Sequence, residues 1–389
     1  MGRECDVAVV GGGYVGLWTA LLCAGDGLAV TVLSDRPWPL RDRDRCRGSD
    51  VLPSAANAGM VFPLWLDFDN VWERYGQAEA IALCRASDDA VDAVRAFATG
   101  HGWAWREVEH LLLATHPRQF ATWQVLLDSL AWGGDGAVFR RVLADESTER
   151  VGPTFGAGLA FGNCATVDPA GLLEGLRAAC VEAGVQMVHA HARRIRASDD
   201  GVEVGWEQGR LSAGQAVLAL GGRAAGADVL APVLTGELTW VGTWEAGGEE
   251  AGPGLDDPAC VSTLDEAMHY LRRLDDGRLL VGGSGPAGRP ERPSRDVCEG
   301  VGRLYPELAE RPPRSLYGGL IEVSEHLLPV AGSLQERLHY ATGLSGMGIA
   351  SSRLVAAIMR ERVAGEPGPL GTLACVDEYE LAADEVALA

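Results

Sequence analysis

Gly11, Gly13 and Gly16 stand in the run "DVAVVGGGYVGLWTALL" with the spacing G-x-G-x-x-G. A short β-branched run precedes them, the apolar helical segment "LWTALLCAG" follows, and "LAVTVL", residues 28–33, supplies a second strand. This is a complete strand–turn–helix–strand unit within about thirty residues. Each glycine has a use in such a unit. Gly11 permits a tight turn, Gly13 lets the backbone approach a diphosphate, and Gly16 lets helix and strand pack closely. The diphosphate of a dinucleotide would rest on the amides at the helix start, around Tyr14 and Val15, where the macrodipole favours an anion. An acidic residue normally ends the second strand and bonds the ribose hydroxyls; here Ser34 holds that place and Asp35 follows. Either Asp35 takes over by a one-residue shift or Ser34 bonds the ribose. Arg36 keeps NADP open, because it could meet a 2′-phosphate.

Other reactive side chains exclude more than they suggest. All 33 basic residues are arginine, so Schiff-base and Walker-A lysine chemistry are absent. Nine cysteines are scattered singly with no C-x-x-C pair, which points to neither a disulfide framework nor a zinc site. His189 and His191 could share one strand face, but no third ligand stands near them and no metal is predicted. A net charge of −21 argues against nucleic acid or an anionic membrane as partner. No stretch approaches the ~18 apolar residues of a membrane span. The chain enters a strand within six residues, which leaves no room for a signal peptide, so a cytoplasmic location is expected.

The elements that must hold these residues come in pieces. "ATVDPAGLLEGLRAACVEAGVQM" reads as a helix that feeds the strand "VQMVHAHARRI", and "GQAVLALGGRA" reads as a strand ending on Gly221 and Gly222. Residues 232–325 are strand-rich, with Asp275-Asp276-Gly277 as a hairpin turn. "RLHYATGLSGMGIASSRLVAAIMRERVAG" closes the chain as strand, glycine loop and helix. A nucleotide domain laid down in three pieces is unusual for NAD-dependent dehydrogenases and is the arrangement of large flavoproteins.

At this point the chain resembles the D-amino-acid-oxidase superfamily of FAD-dependent amine oxidoreductases. "DVAVVGGGYVGL", "SAANAGMVFP", "ATVDPAGLLEGLRAACVEAGVQ", "AVLALGG", "DDGRLLVGG", "LLPVAG" and "YATGLSGMGIASS" occur in the order expected of that superfamily. The resemblance implies an α/β (α+β) fold: a Rossmann-type FAD-binding domain built from discontinuous segments plus an antiparallel-sheet substrate domain. The segments expected are 1–85, 155–228 and 325–389 for the FAD domain, and 86–154 and 229–324 for the substrate domain. It also implies a cofactor set. Gly11, Gly13, Tyr14, Val15 and Gly16 would cradle the diphosphate, with Ser34 and Asp35 at the ribose and Gly221 nearby. Ser54, Ala56, Asn57, Ala58, Gly59 and Met60 would lie along the isoalloxazine and its linker. Gly343, Ser345, Gly346, Met347, Gly348 and Ile349 would close over the ring's pyrimidine edge. There the helix start would stabilise negative charge on the reduced ring.

Departures from the superfamily's patterns shape the rest. Relatives that tether FAD use a cysteine before the strand holding Tyr317 or a histidine near the second flavin loop; neither is present, so non-covalent FAD is expected. Amino-acid-oxidising relatives read roughly W-A-G-L-R-P, and here Ile321 holds the arginine place, closer to the W-G-G pattern of γ-glutamylputrescine oxidases. The reaction implied is oxidation of the C–N bond of a small amine or amino acid to an imine, by hydride transfer to flavin N5. Tyr317 is the candidate pocket wall and Glu322 the candidate for steering a cationic amine. Arg272 is a candidate carboxylate anchor, with His269 and Tyr270 flanking. Strand alternation lets only one of Arg272 and Arg273 point inward. The acceptor is oxygen or another carrier, since the lysine that activates oxygen in sarcosine-oxidase relatives is missing. Alternatives are a D-amino-acid-dehydrogenase-like enzyme with a non-oxygen acceptor, an NAD(P)-dependent reductase, and a non-catalytic FAD-binding subunit.

Overall fold

A computed structural model describes residues 4–36, 52–133, 139–245, 258–264, 268–284, 293–365, 368–376 and 378–388. One of the nine cysteines, Cys46, lies outside that set. Two nine-stranded sheets organise the chain. The first runs β18 (Glu385–Ala387), β8 (Ala192–Ser198), β9 (Gly201–Trp206), β10 (Gly209–Leu218), β1 (Cys5–Val10), β2 (Val30–Ser34) and β7 (Gln186–His189). Beside the upper half of β10 lies β17 (Leu338–Thr342), followed by β16 (Val330–Gln335). The core strands β7, β2, β1, β10 and β17 are all parallel, and their β-branched, apolar character suits burial on both faces. One face carries the helices Tyr14–Gly25, Pro169–Glu182 and Gly348–Ala364, which bury Leu17, Leu172, Leu176 and Ile358 against Val9, Val32 and Val217.

The second sheet runs β15 (Ser315–Ser324), β11 (Leu234–Trp244), β14 (Leu279–Ser284), β13 (Tyr270–Arg273), β12 (Cys260–Thr263), β4 (Trp105–Leu113), β6 (Gly158–Val167) and β3 (Met60–Val61), with β5 (Phe139–Val142) also on β6. All its pairings are antiparallel except β12 with β4. Its outer face packs Leu271, Val281 and Trp244 on the helix Pro293–Leu304.

The two sheets divide the chain differently from the expected segments in three places. The helix Gln77–Gly100 is continuous through residue 85 and packs Val91 and Val94 into the first sheet's core. The strands β3 and β6, both expected within nucleotide segments, join the second sheet, β6 pairing with β4 and β3 with β6. Long-range pairing decides such membership, and local pattern does not encode it.

Candidate active site

The glycine turn has the shape that the spacing predicts. Gly11 has φ +124°, and a Cβ there would lie 2.0 Å from the Ala219 carbonyl oxygen. A Cβ on Gly16 would lie 1.9 Å from the Gly11 carbonyl oxygen. Neither position tolerates a side chain. No side chain caps the helix from Gly13, which leaves first-turn amides beyond Tyr14 without a side-chain partner. Beside this turn opens a cavity of about 450 Å³ lined by Gly11, Leu33, Ser34, Asp35, His191 and Arg223 among others. A glycine cradle at a helix start, with a cavity beyond the strand ends, fits the adenosine diphosphate half of FAD.

The second loop is built by Asn57. Its Nδ2 donates to the Pro53 carbonyl at 2.9 Å, and its Oδ1 accepts from the Gly59 amide at 2.8 Å. Gly59, at φ +67°, comes so close to β6 that a Cβ would lie 2.1 Å from the Val167 carbonyl oxygen. Ser54 turns its hydroxyl to the Tyr14 amide at 3.4 Å, so this loop sits against the first glycine turn. The Tyr14 hydroxyl donates to the Pro169 carbonyl at 2.7 Å, and burial raises its pKa. Val15 packs in the same core. Ala58 and Met60 join Val241, Cys260 and Leu280 in a small apolar cluster on the inner face of the second sheet.

The third loop links the two sheets. Gly343, Ser345 and Gly346 all have positive φ. The Ser345 amide donates to the Glu322 carbonyl at 3.2 Å, and its hydroxyl accepts from the Ser324 amide at 3.2 Å and donates to the Gly343 carbonyl at 3.0 Å. Met347 precedes the helix Gly348–Ala364 without a capping side chain, which leaves first-turn amides without a side-chain partner. Gly221 opens the short turn Gly221–Gly226 after β10.

On the second sheet, pairing register sorts the candidate substrate residues by face. Tyr317 opposes Val241, which opposes Gly282, which opposes Tyr270. The Tyr270 ring lies over Gly282, where a Cβ would be 2.2 Å from it. Arg272, next along the same face, donates from Nε to the Ala58 carbonyl at 2.5 Å and lies near Cys260 and Tyr317. Among the described residues no carboxylate pairs with it, and burial lowers its pKa. Ile321 shares this inner face with Tyr317.

Two expectations fail by that same alternation. His269 points outward: it is 2% exposed, and a Cβ on Gly300 of the outer helix would lie 1.9 Å from its Nε2. Glu322 stands on the face opposite Tyr317, paired across from Gly236, and is 7% exposed rather than open to an incoming amine. Burial pushes its carboxyl up to about 7, with the neighbouring Thr342 hydroxyl and its own amide opposing. Asp35 is ion-paired to Arg223, a residue the motif reading did not single out.

His110 also escaped that reading. It is fully buried on the inner face, bonds Ser262 Oγ at 2.8 Å, meets Phe62 edge-on, and is held neutral by burial at about 3. A lone histidine in an alternating strand carries no signal of this.

Comparison with known proteins bears on the same conclusion. The family described as "FAD dependent oxidoreductase" (DAO) matches residues 6–362. The probable oxidoreductase OrdL of Rhizobium meliloti (strain 1021) is 24% identical over 95% of this chain and 86% of that protein. The gamma-glutamylputrescine oxidoreductase of Escherichia coli (strain K12) is 24% identical over 96% and 87%. Among solved structures, glycine oxidase from Geobacillus kaustophilus superposes with a TM-score of 0.73 at 17% identity, covering 94% of this chain and 96% of that one. L-proline dehydrogenase from P. horikoshii gives 0.72 at 16% identity, covering 96% of each. No helix among the described residues is long and apolar enough to cross a membrane. With the glycine cradle, the three loops and the family match over most of its length, the chain belongs to the FAD dependent oxidoreductase family and is an enzyme that uses FAD.

Proposed function

We propose that this enzyme oxidises the C–N bond of a small amino acid to the imine, with FAD held non-covalently and an electron acceptor regenerating it. When bound, the flavin supplies the hydride acceptor at N5. The protein's part is to bind, orient and exclude water.

Arg272 carries the choice of an amino acid over a simple amine. A partly buried guanidinium keeps its charge; its acidic neighbour Asp275 is already ion-paired to Arg106, so the charge calls for a further anion. Its Nε holds the Ala58 carbonyl, which leaves the terminal nitrogens for a carboxylate on the inner face. Tyr270 and Tyr317 share that face with the apolar Ala58–Met60 cluster. The arginine of amino-acid-oxidising relatives is thus replaced from a different strand of the sheet.

The test is an absorbance titration of the purified holoenzyme under anaerobic conditions. Expected is bleaching of the flavin bands by one class of D- or L-amino acids and not by amines lacking a carboxylate. Arg272→Gln should raise the half-saturating amino acid concentration about a hundredfold, as for loss of a charge-assisted anchor of about 3 kcal/mol. Bleaching by simple amines with Arg272→Gln unaffected would sink the amino-acid reading. Admitting air afterwards separates oxidase from dehydrogenase by the speed of recolouring.

A further inference from the structure

Asp35 and Arg223 are 188 residues apart in sequence and meet at the mouth of the nucleotide cavity. Asp35 is the first residue after β2, and Arg223 sits in the turn that follows β10. The strand order β10–β1–β2 puts β1 between them, so the pair arches over the turn that carries Gly11. That arch spans two strand spacings, about 9.6 Å. The Asp35 carboxylate Oδ2 and the Arg223 guanidinium Nη1 form an ion pair.

The backbone beneath each partner is hydrogen-bonded. The Asp35 carbonyl is bonded to His189 Nε2 at 3.0 Å, and the Arg36 amide donates to Ser34 Oγ at 3.3 Å. The Arg223 amide donates to the Leu220 carbonyl at 3.4 Å. The two paired side chains are 26% and 47% exposed.

We propose that Asp35 and Arg223 form a latch across the adenosine end of the FAD site. The pair must part for the adenosine half to enter or leave, and its engagement leaves the ribose hydroxyls to Ser34. Asp35 then serves cofactor retention through Arg223 and not as a ribose ligand. Exposed pairs of this kind are worth little at equilibrium, so the effect belongs in the release rate and is screened by salt.

The experiment follows FAD release from the diluted holoenzyme by the rise of free-flavin fluorescence. Arg223→Gln and Asp35→Asn should each speed release about threefold at low salt. The double variant should be no faster than the faster single one, because one interaction is lost in all three. High salt should speed release from the unaltered protein until it matches Arg223→Gln. That measurement needs no substitution and stands if a variant folds poorly. Release from Arg223→Gln at the unaltered rate overturns the latch. So does a double variant in which the two effects multiply, since Asp35 would then hold the ribose on its own.

Discussion

Tyr317 and Glu322 lie five residues apart on β15 and so project from opposite faces of it, one onto the inner face beside Arg272 and one into the junction with the third loop. On the proposed function, the same strand would wall the substrate pocket and brace the loop expected at the flavin's pyrimidine edge.

Glu322 gives a pH signature. In the unfolded chain its carboxyl titrates near ~4.3, and burial moves it up to about 7 in the folded protein. Across that window the unfolded state has lost the proton and the folded state still holds it. Stability therefore falls as pH rises through the window and levels off above it. Glu322→Gln has no such loss, so its stability advantage should widen by about 4 kcal/mol from the bottom of the window to the top. Urea melts at several pH values would measure this. A constant difference would mean that the carboxyl is already ionised in the folded chain.

The outward-facing His269 predicts a packing effect without a catalytic one. Gly300→Ala forces a methyl into its imidazole and should cost about 1–3 kcal/mol. His269→Ala should recover most of that loss in the double variant, while half-saturation by substrate stays unchanged. A shift in half-saturation caused by His269→Ala would return this residue to the pocket.

Gly59 tests the second loop. An alanine there meets the Val167 carbonyl at 2.1 Å in a backbone region that L-residues avoid. Gly59→Ala should weaken FAD binding at least tenfold while the fold persists, as read by flavin titration of the apoprotein and far-ultraviolet circular dichroism. Unchanged affinity would remove the loop from the cofactor site.

Ser345 tests the third loop. Ser345→Ala loses the hydroxyl's bonds to the Ser324 amide and the Gly343 carbonyl, each worth about 1 kcal/mol. FAD affinity should fall about tenfold, with the flavin's reduction potential moving negative as the helix-start amides lose their aim. An unshifted potential would show that those amides do not reach the ring.

Much of the nucleotide fold was legible because local pattern encodes it. The unit from β1 to β2 rests on one hydrophobic run, three spaced glycines and a second run, all within direct sequence reach. The faces of β13 and β15 were legible in principle too: alternation alone separates His269 from Arg272, and Tyr317 from Glu322. What sequence could not disclose are contacts between distant segments. The partner of Asp35 lies 188 positions away. The Arg272 bond to the Ala58 carbonyl spans 214. Membership of β6 in the second sheet depends on β4, more than forty positions upstream. No periodicity records such meetings.

The triple attachment of Ser345 to β15 and to its own loop has a consequence for how this enzyme changes over generations. If the proposed site is right, the strand that decides which molecule fits also holds the loop that tunes the flavin's appetite for electrons. A mutation that reshapes the pocket through residues 317–324 also retunes the redox centre. New substrates are then reached through paired changes, one for shape and one to restore the poise.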